Sequence, residues 1–363
     1  MAADATPPPP PPPPGKDAPS NKISDVITSF RPTRRFKPEK STTSVTSLDF
    51  DDSGELVIVA RDDDTLQIYN CKEGKHAKEL KSQKYGVHLA RFSHHAQSII
   101  YASTKVDDTI RYLSTHDNSY IRYFRGHTDT VTCITVSPST DQFLSCSHDN
   151  TVRLWDVRSQ NSQGHLKLHA PYLAAYDPSA TVIAIASPPT QSIMLYDIRN
   201  YDKPPFATFD LQPDEQRYTP QSTGHDWTRL EFSNDGQKIL VGTSGPGHFV
   251  LEAFEGALTH FCVRKGGHSG RKAPGEFAVG GVAGQGDMCI TPDGKYLVGG
   301  SGEDGLLVWD ISADSAPDKV LRPFAELPGP GKGAVVGYNQ RFNMLCSADK
   351  ELLLWLPDPD SVG

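Results

Sequence analysis

Short runs of alternating or continuous apolar residues, separated by turn signals, fill the chain from about residue 45 to residue 357. Runs such as LVIVA, FLSCS, VIAIA, KILVG and YLVGG each follow a turn rich in Pro, Asp, Asn or Gly, as at residues 136–140 and 290–294. Apolar runs of this length bounded by such turns are typical of β-strands joined by hairpins. Almost no segment has the 3.6-residue period of an amphipathic helix. The pattern therefore predicts an all-β fold.

The strand pattern repeats along the chain. Its clearest copy, residues 126–156, begins with Gly-His and ends with Trp-Asp. The last strands of seven copies end near Tyr69, Leu113, Trp155, Tyr196, Glu252, Trp309 and Trp355. Four of the six steps between these positions are 41 to 46 residues, close to the length of a four-stranded propeller blade. The two longer steps contain insertions near residues 200–221 and 263–286.

Seven copies predict a seven-bladed β-propeller over residues 22–358. The seventh copy has only three strands, and an unassigned apolar run at about residues 24–38 precedes the first copy. We expect this run to form the outer strand of the last blade and to close the ring, because closure removes exposed sheet edges. Pro32 and Pro38 are tolerated on such an edge strand. We expect residues 1–21 to be a disordered proline-rich tail and residues 359–363 a C-terminal tail.

Four polar and aromatic side chains of the third copy look at first like catalytic machinery. His127, Ser147 and Asp149 match the residue types of a base, a nucleophile and an acid. With Trp155, however, their spacing resembles the structural tetrad of the WD-repeat (WD40) propeller family, in which the four side chains form a buried chain of hydrogen bonds. Partial repeats of this set are Ser347, Asp349, Trp355 and Trp309. We interpret all of them as structural and expect no catalytic residue.

Charge and composition change the picture of the partners. The formal net charge is −8, of which the first 40 residues carry +3 and the remainder −11. An acidic body argues against nucleic acid or an anionic membrane as a direct partner. A mean hydropathy of −0.46 and the lack of an 18-residue apolar run argue against a membrane span. Six cysteines without a CxxC pair predict free thiols in a reducing compartment.

Motifs that suggest a cofactor or a metal do not fit their context. Residues 300–305 match GxGxxG, but they precede a strand instead of opening a helix. The pair His165 and His169 and the acidic run at residues 62–64 lack the further ligands of a metal site. The octaproline at residues 7–14 is either a polyproline ligand or a tolerated low-complexity segment. We expect no cofactor and no metal.

Three stretches, at residues 82–88, 107–127 and 205–209, resemble the WD-repeat subunits of COMPASS, the SET-domain histone methyltransferase complex. In fungi, similar proteins also belong to the cleavage and polyadenylation factor. The resemblance implies a non-catalytic nuclear adaptor that joins a SET-domain methyltransferase subunit, or a 3′-end-processing or phosphatase scaffold subunit, to RNA polymerase II with a phosphorylated tail. The alternatives are a substrate receptor of a cullin ubiquitin ligase and, with less support, a propeller hydrolase.

One rim of the predicted ring gathers basic and aromatic residues. The loops that enter the first strand of each blade lie on the same rim as the loops between the second and third strands. In the first three copies these loops contribute Arg61, Lys84, Tyr85, Lys105 and His148. Arg and Lys pair with phosphate or carboxylate groups, so we expect a candidate site for a phosphorylated or acidic peptide. The alternative is a set of scattered rim charges.

Overall fold

A computed structural model of the protein describes residues 22–38, 43–220, 227–264, 288–302 and 304–361. The octaproline and most of the glycine-rich insertion lie outside these residues. The described chain starts with helix α1 (Ile23–Val26) and strand β1 (Phe30–Phe36), and a second helix, α2, spans Gln212–Tyr218. Short 3-10 turns lie at Pro188–Thr190, Ile198–Asn200 and Pro359–Ser361. Neither described helix has the length or apolar character needed to span a bilayer.

The first three blades are regular four-stranded antiparallel sheets. Blade 1 contains β2 (Val45–Phe50), β3 (Leu56–Arg61), β4 (Thr65–Asn70) and β5 (Lys75–Lys81). Blade 2 contains β6 (His88–Phe92), β7 (Ser98–Ala102), β8 (Ile110–Ser114) and β9 (Tyr120–Phe124). Blade 3 contains β10 (Val131–Val136), β11 (Gln142–Ser147), β12 (Thr151–Asp156) and β13 (Gly164–Lys167). In each blade the strands follow one another in chain order from the centre of the ring to its outside.

The remaining blades complete the ring, with two irregularities. Blade 4 contains β14 (Leu173–Tyr176), β15 (Val182–Ser187), β16 (Ser192–Asp197) and β17 (Ala207–Asp210). Blade 5 contains β18 (Trp227–Phe232), β19 (Lys238–Thr243), β20 (Gly247–Glu252), β21 (Leu258–Val263) and the later strand β25 (Val320–Leu321). Blade 6 contains β22 (Met288–Ile290), β23 (Tyr296–Gly300), β24 (Leu306–Asp310) and β26 (Ala325–Leu327). Blade 7 contains β27 (Val335–Tyr338), β28 (Leu345–Ala348), β29 (Leu352–Pro357) and β1.

The seven sheets confirm the prediction of an all-β, seven-bladed propeller that is closed by its N-terminal strand. Strand β1 pairs antiparallel with β29, with Phe30 opposite Pro357 and Phe36 opposite Leu352. The register shifts just after Pro32, where an edge strand accommodates a residue without an N–H donor. The strand is shorter than the expected segment, because residues 23–26 form a helical turn whose Val26 is fully buried.

In blades 1, 3, 4, 5 and 6, turns at the predicted positions connect the two innermost strands. Gly236 and Gly294 both have φ of +70°, which glycine adopts without the strain that a side chain adds. The preceding aspartates fix these turns, because Asp235 accepts a hydrogen bond from the hydroxyl of Ser233 and Asp293 accepts one from Thr291 at 2.6 Å. The turn chemistry read from the sequence therefore defines the hairpins of the ring.

The first long repeat step and the connection between β24 and β26 contain structure that the repeat pattern does not predict. In the first, α2 carries Glu215, whose buried carboxylate accepts hydrogen bonds from the Trp227 indole and the Gln191 amide. The connection that follows β24 returns to the neighbouring blade, where β25 pairs in parallel with β21. The Tyr218 hydroxyl donates to the carbonyl of Asp318 at 2.7 Å. These contacts interlock blades 5 and 6 at the outside of the ring.

Candidate functional site

A chain of buried hydrogen bonds crosses blade 3, but its serine is not the predicted one. The Trp155 indole donates to Ser145 Oγ at 2.8 Å, and this hydroxyl lies 2.6 Å from His127 Nε2. His127 Nδ1 lies 2.9 Å from the carboxylate of Asp149. The expectation of Ser147 in this chain is wrong, because its hydroxyl donates to the carbonyl of residue 129 at 2.7 Å instead. The bonded set is His127, Ser145, Asp149 and Trp155.

The pKa shifts of the residues in this series of hydrogen bonds fit a structural role. Burial lowers the pKa of His127, and the hydrogen bond and charge of Asp149 offset this only in part. Burial acts in the opposite direction on Asp149, but hydrogen bonds from Thr151 and His127 outweigh it and lower the pKa of this carboxyl. The Ser145 hydroxyl is fully buried between the histidine and the indole. A substrate has no access to it, which separates this arrangement from a nucleophile–base pair.

The partial repeats in blades 6 and 7 keep the buried tryptophan and vary its partner. Trp355 Nε1 donates to Ser347 Oγ at 2.9 Å, which repeats the bond of blade 3. Asp349 contributes its backbone carbonyl, which accepts the first N–H of β2 at 2.6 Å and so connects blade 7 to blade 1. Trp309 Nε1 donates to the carbonyl of Val263 at 3.1 Å. Trp155, Trp309 and Trp355 are fully buried, and the hydrogen bonds described for each satisfy its indole N–H group.

One residue of the candidate rim does not lie on the rim surface. Arg61 is only 6% exposed, and its Nη2 donates to the Tyr69 hydroxyl at 2.9 Å within blade 1. Its position at the end of β3 agrees with the predicted loop between the second and third strands, but its side chain extends along the blade and not into solvent. Arg61 is therefore a structural residue, and its assignment to a peptide-binding surface is wrong.

Three other candidates do come together, between blades 1 and 2. Lys84 Nζ lies 5.1 Å from the centroid of the Tyr85 ring. The carbonyl of Tyr85 accepts the backbone N–H groups of Thr104 and Lys105 at 2.9 and 3.0 Å, which fixes the two loops against each other. Lys105 is exposed and forms an ion pair with Asp64. His148 is not part of this group. Its ring centroid lies 5.8 Å from that of Tyr172, which immediately precedes blade 4.

The sequence reasoning missed the residues that surround Tyr85. The guanidinium carbon of Arg111 lies 3.6 Å from the Tyr85 ring centroid, 5.2 Å from that of Tyr123 and 5.6 Å from that of Tyr120. All of these except Tyr85 belong to the stretch 107–127, which the sequence analysis singled out without assigning side chains. Regular alternation places residues three apart in a strand on opposite faces, so the spacing of Tyr120 and Tyr123 does not predict that they share a face.

The centre of the ring is a channel with adjoining cavities of about 420 and 520 Å³. Its charged walls include Asp49, Arg91, Arg229 and Glu231. Burial raises the pKa of Asp49 to about 6, although the charge of Arg91 acts against this shift. Arg229 Nε lies 3.0 Å from a Glu231 carboxylate oxygen. Within the described part of the chain, no group of three or more His, Cys, Asp or Glu side chains is arranged to hold a metal ion.

Comparison with known proteins agrees with this architecture. The profile of the WD40 family, described as "WD domain, G-beta repeat", matches residues 30–70 and 118–156. WD repeat-containing protein 82 of Drosophila melanogaster is 38% identical over 335 residues, which are 92% of this chain and 96% of that protein. Set1 complex component swd2 of Schizosaccharomyces pombe is 35% identical over 368 residues, covering 91% and 98%. COMPASS component SWD2 of Saccharomyces cerevisiae is 32% identical over 336 residues, covering 92% and 97%.

This chain belongs to the Swd2 family of WD-repeat proteins. The resemblance inferred from the three stretches is thereby confirmed at the level of the family.

Proposed function

We propose that this protein is a non-catalytic scaffold subunit of a COMPASS-type histone methyltransferase complex. The observation that carries the proposal is the alignment with two relatives named as Set1 complex and COMPASS components over more than 90% of each chain. A propeller presents rigidly held loops on two rims, and binding residues concentrate on such loops. The proposed partner is the SET-domain methyltransferase subunit, and the proposed location is the nucleus.

We further propose a role in mRNA 3′-end cleavage, polyadenylation and transcription termination. In this role the protein binds a 3′-end-processing or phosphatase scaffold subunit and connects it to transcribing RNA polymerase II. The rim residues Lys84, Tyr85 and Lys105 support this extension, because Lys84 lies beside the Tyr85 ring, Lys105 is held on the adjoining loop, and such cations suit a phosphorylated or acidic peptide. The acidic body favours protein partners over direct contact with nucleic acid or membrane.

The proposed lack of catalysis rests on the surroundings of each candidate group. The His127–Ser145 pair is sealed inside blade 3, as described above. In the channel, the carboxylate of Glu231 pairs with Arg229, and that of Asp49 accepts the N–H of Phe92 at 2.8 Å. A propeller hydrolase needs several free carboxylates around a central metal, and the described channel walls do not supply this arrangement.

The test is affinity purification of the tagged full-length protein from nuclear extract, followed by mass spectrometry. We expect a SET-domain methyltransferase subunit, together with 3′-end-processing or phosphatase subunits. Recovery of cullin subunits in their place would favour a ubiquitin-ligase substrate receptor. Turnover of ester, lactone or phosphate substrates by the pure protein would favour the hydrolase. An untagged strain serves as the background control.

A further inference from the structure

A β-bulge in the outer strand of blade 2 brings two tyrosines to the same face. Along β8 and β9, Tyr112 pairs with Arg122 but Leu113 pairs with Tyr120, so one residue of β9 has no partner. The extra residue reverses the alternation and lets Tyr120 and Tyr123 point the same way, with ring centroids 5.4 Å apart. Bulges commonly redirect a side chain at a functional surface. Tyr85 joins them from the neighbouring loop, 6.1 Å from Tyr120.

Tyr85, Tyr120 and Tyr123 form a tyrosine cluster, and the buried side chain of Arg111 packs against all three rings. It is 3% exposed, its Nε donates to Ser103 Oγ at 2.7 Å, and its Nη2 lies 3.0 Å from a carboxylate oxygen of Asp107. The guanidinium stacks on Tyr85 at 3.6 Å. Guanidinium–aromatic stacking of this kind stabilises ring positions. Arg111 is therefore a positioning residue, and its charge is compensated within the protein.

A second set of bonds fixes the cluster from the side of blade 1. The Tyr101 hydroxyl lies 3.1 Å from the Tyr120 hydroxyl and 3.0 Å from Ser82 Oγ. Ser82 also accepts the N–H of Gly86 on its carbonyl at 2.8 Å, which closes the loop that carries Tyr85. The rings are thus held in position before any partner arrives. A partner that packs on them loses little conformational entropy on their account.

The cluster combines half-buried aromatic rings with exposed cations. The three tyrosines are partly exposed, whereas Lys84 and Arg125 are exposed. Lys84 Nζ lies 5.1 Å from the Tyr85 centroid, and the Arg125 guanidinium lies 5.5 Å from the Tyr123 centroid. Tyr and Arg are the residues enriched at energetically dominant interface positions. Two cations beside them, on a body of net charge −11, select for negative charge in the partner.

We propose that the tyrosine cluster is a docking surface for an extended acidic segment of a partner protein. Carboxylates of this segment face Lys84 and Arg125, and an apolar or aromatic side chain between them packs on Tyr85 and Tyr123. The inference rests on the proposed adaptor function and extends it, because it names the surface and the chemistry of the segment that binds there.

The experiment measures binding of the full-length protein to an immobilised random copolymer of glutamate and tyrosine. A lysine–tyrosine copolymer is the probe of opposite charge. The variants are Arg125→Glu, Tyr123→Ala and Tyr123→Phe. Lys203→Glu is the matched control, because this exposed lysine follows β16 on the opposite rim and carries the same change in charge. The thermal midpoint of each variant verifies that it is folded.

We expect the wild type to bind the acidic copolymer and not the basic one. Arg125→Glu and Tyr123→Ala weaken binding by about tenfold, as interface anchors do. Tyr123→Phe remains within about twofold of the wild type, because it keeps the aromatic side chain. Lys203→Glu does so as well, because it changes only the opposite rim.

Absence of wild-type binding at low salt, or equal losses in Arg125→Glu and Lys203→Glu, overturns the docking surface. Unchanged binding by a folded Tyr123→Ala does the same. None of these outcomes bears on the adaptor function, which depends on the subunits recovered by affinity purification. A protein that binds the copolymer as expected but recovers no SET-domain or 3′-end-processing subunit retains the surface and loses the adaptor function.

Discussion

The Trp155 indole and the Ser145 hydroxyl are joined by a 2.8 Å hydrogen bond between two fully buried side chains. The same hydroxyl also lies 2.6 Å from His127 Nε2. One small group thus satisfies two buried nitrogen atoms on different segments of blade 3. Because an unsatisfied buried polar group costs more than a typical hydrogen bond gains, this serine has a larger effect on stability than its size suggests.

We therefore predict that Ser145→Ala lowers the free energy of unfolding by about 2–4 kcal/mol, since it leaves two buried partners unpaired. Ser147→Ala is the matched control and costs about 1 kcal/mol, because it removes a hydroxyl bonded mainly to backbone. Urea unfolding with each serine variant in a Trp155→Phe background completes a double-mutant cycle. We expect coupling of Ser145, but not of Ser147, with Trp155. The reverse pattern contradicts the assignment.

Ser145 also illustrates which features of the structure can be predicted from the sequence. Repeat spacing and turn residues suffice for the blade count and for ring closure, because both follow from local hydrogen bonding and burial. Ser145 and Ser147 occupy the same face of β11, so alternation does not distinguish them, and only the distance to the indole does. Arg61 is similar, because a loop position does not determine whether a long side chain extends into solvent or along the blade. The tyrosine cluster depends on a bulge that breaks strand alternation, so the faces of its side chains could not be predicted from the sequence.

A second prediction concerns closure of the ring. Deleting residues 1–38 removes β1 and the fully buried side chains of Val26, Ile27 and Phe30. At about 1.5–3 kcal/mol for each buried side chain, we expect a loss of about 5 kcal/mol or more. Deleting residues 1–20 is the matched control and leaves these contacts intact. Thermal unfolding of both truncations, together with their recovery in the complex, tests the prediction. Equal thermal midpoints of the two truncated proteins contradict the prediction. Failure of the protein lacking residues 1–20 to be recovered in the complex also contradicts it.

A third prediction concerns His94, which bridges three blades at the rim opposite the candidate site. Its Nδ1 lies 2.8 Å from Asp52, and its Nε2 lies 2.9 Å from the carbonyl of Ser137 and 3.2 Å from that of Thr140. Burial lowers the pKa of His94, but Asp52 and the two carbonyls together outweigh it and raise this pKa. The protonated form is therefore favoured in the folded protein.

The sign of the pH dependence follows from this shift. A raised pKa in the folded state contributes stability that is fully present below the unfolded pKa of about 6.5 and is lost as the pH rises through the folded value. We expect Asp52→Asn to lower the thermal midpoint more at pH 5.5 than at pH 8.5. Glu55→Gln, at an exposed position in the same turn, controls for the same change of surface charge. A difference between wild type and Asp52→Asn that is independent of pH contradicts the prediction.

The last prediction concerns phosphopeptide binding at Lys84, Tyr85 and Lys105. We expect doubly phosphorylated polymerase-tail peptides to bind with low to moderate affinity, and binding to fall steeply between about 0.05 and 0.3 M salt because the charges are exposed. Lys84→Glu with Lys105→Glu abolishes binding, whereas Lys72→Glu with Lys203→Glu, the same charge change on the opposite rim, leaves it unchanged. Lys105 is held in an ion pair with Asp64, so a phosphate competes with this carboxylate.

Asp64→Asn removes that competition and is expected to tighten phosphopeptide binding by a few-fold, as the loss of an exposed ion pair worth up to about 1 kcal/mol allows. Arg61→Glu is not a usable probe, because it replaces a buried guanidinium that is bonded to Tyr69 with an unpaired carboxylate, and we expect it to destabilise blade 1. Titration by fluorescence anisotropy, with unphosphorylated peptide as the reference, gives the affinities. If the wild type does not discriminate the phosphorylated peptide, or if Asp64→Asn weakens its binding, the phosphorylated tail binds elsewhere in the complex.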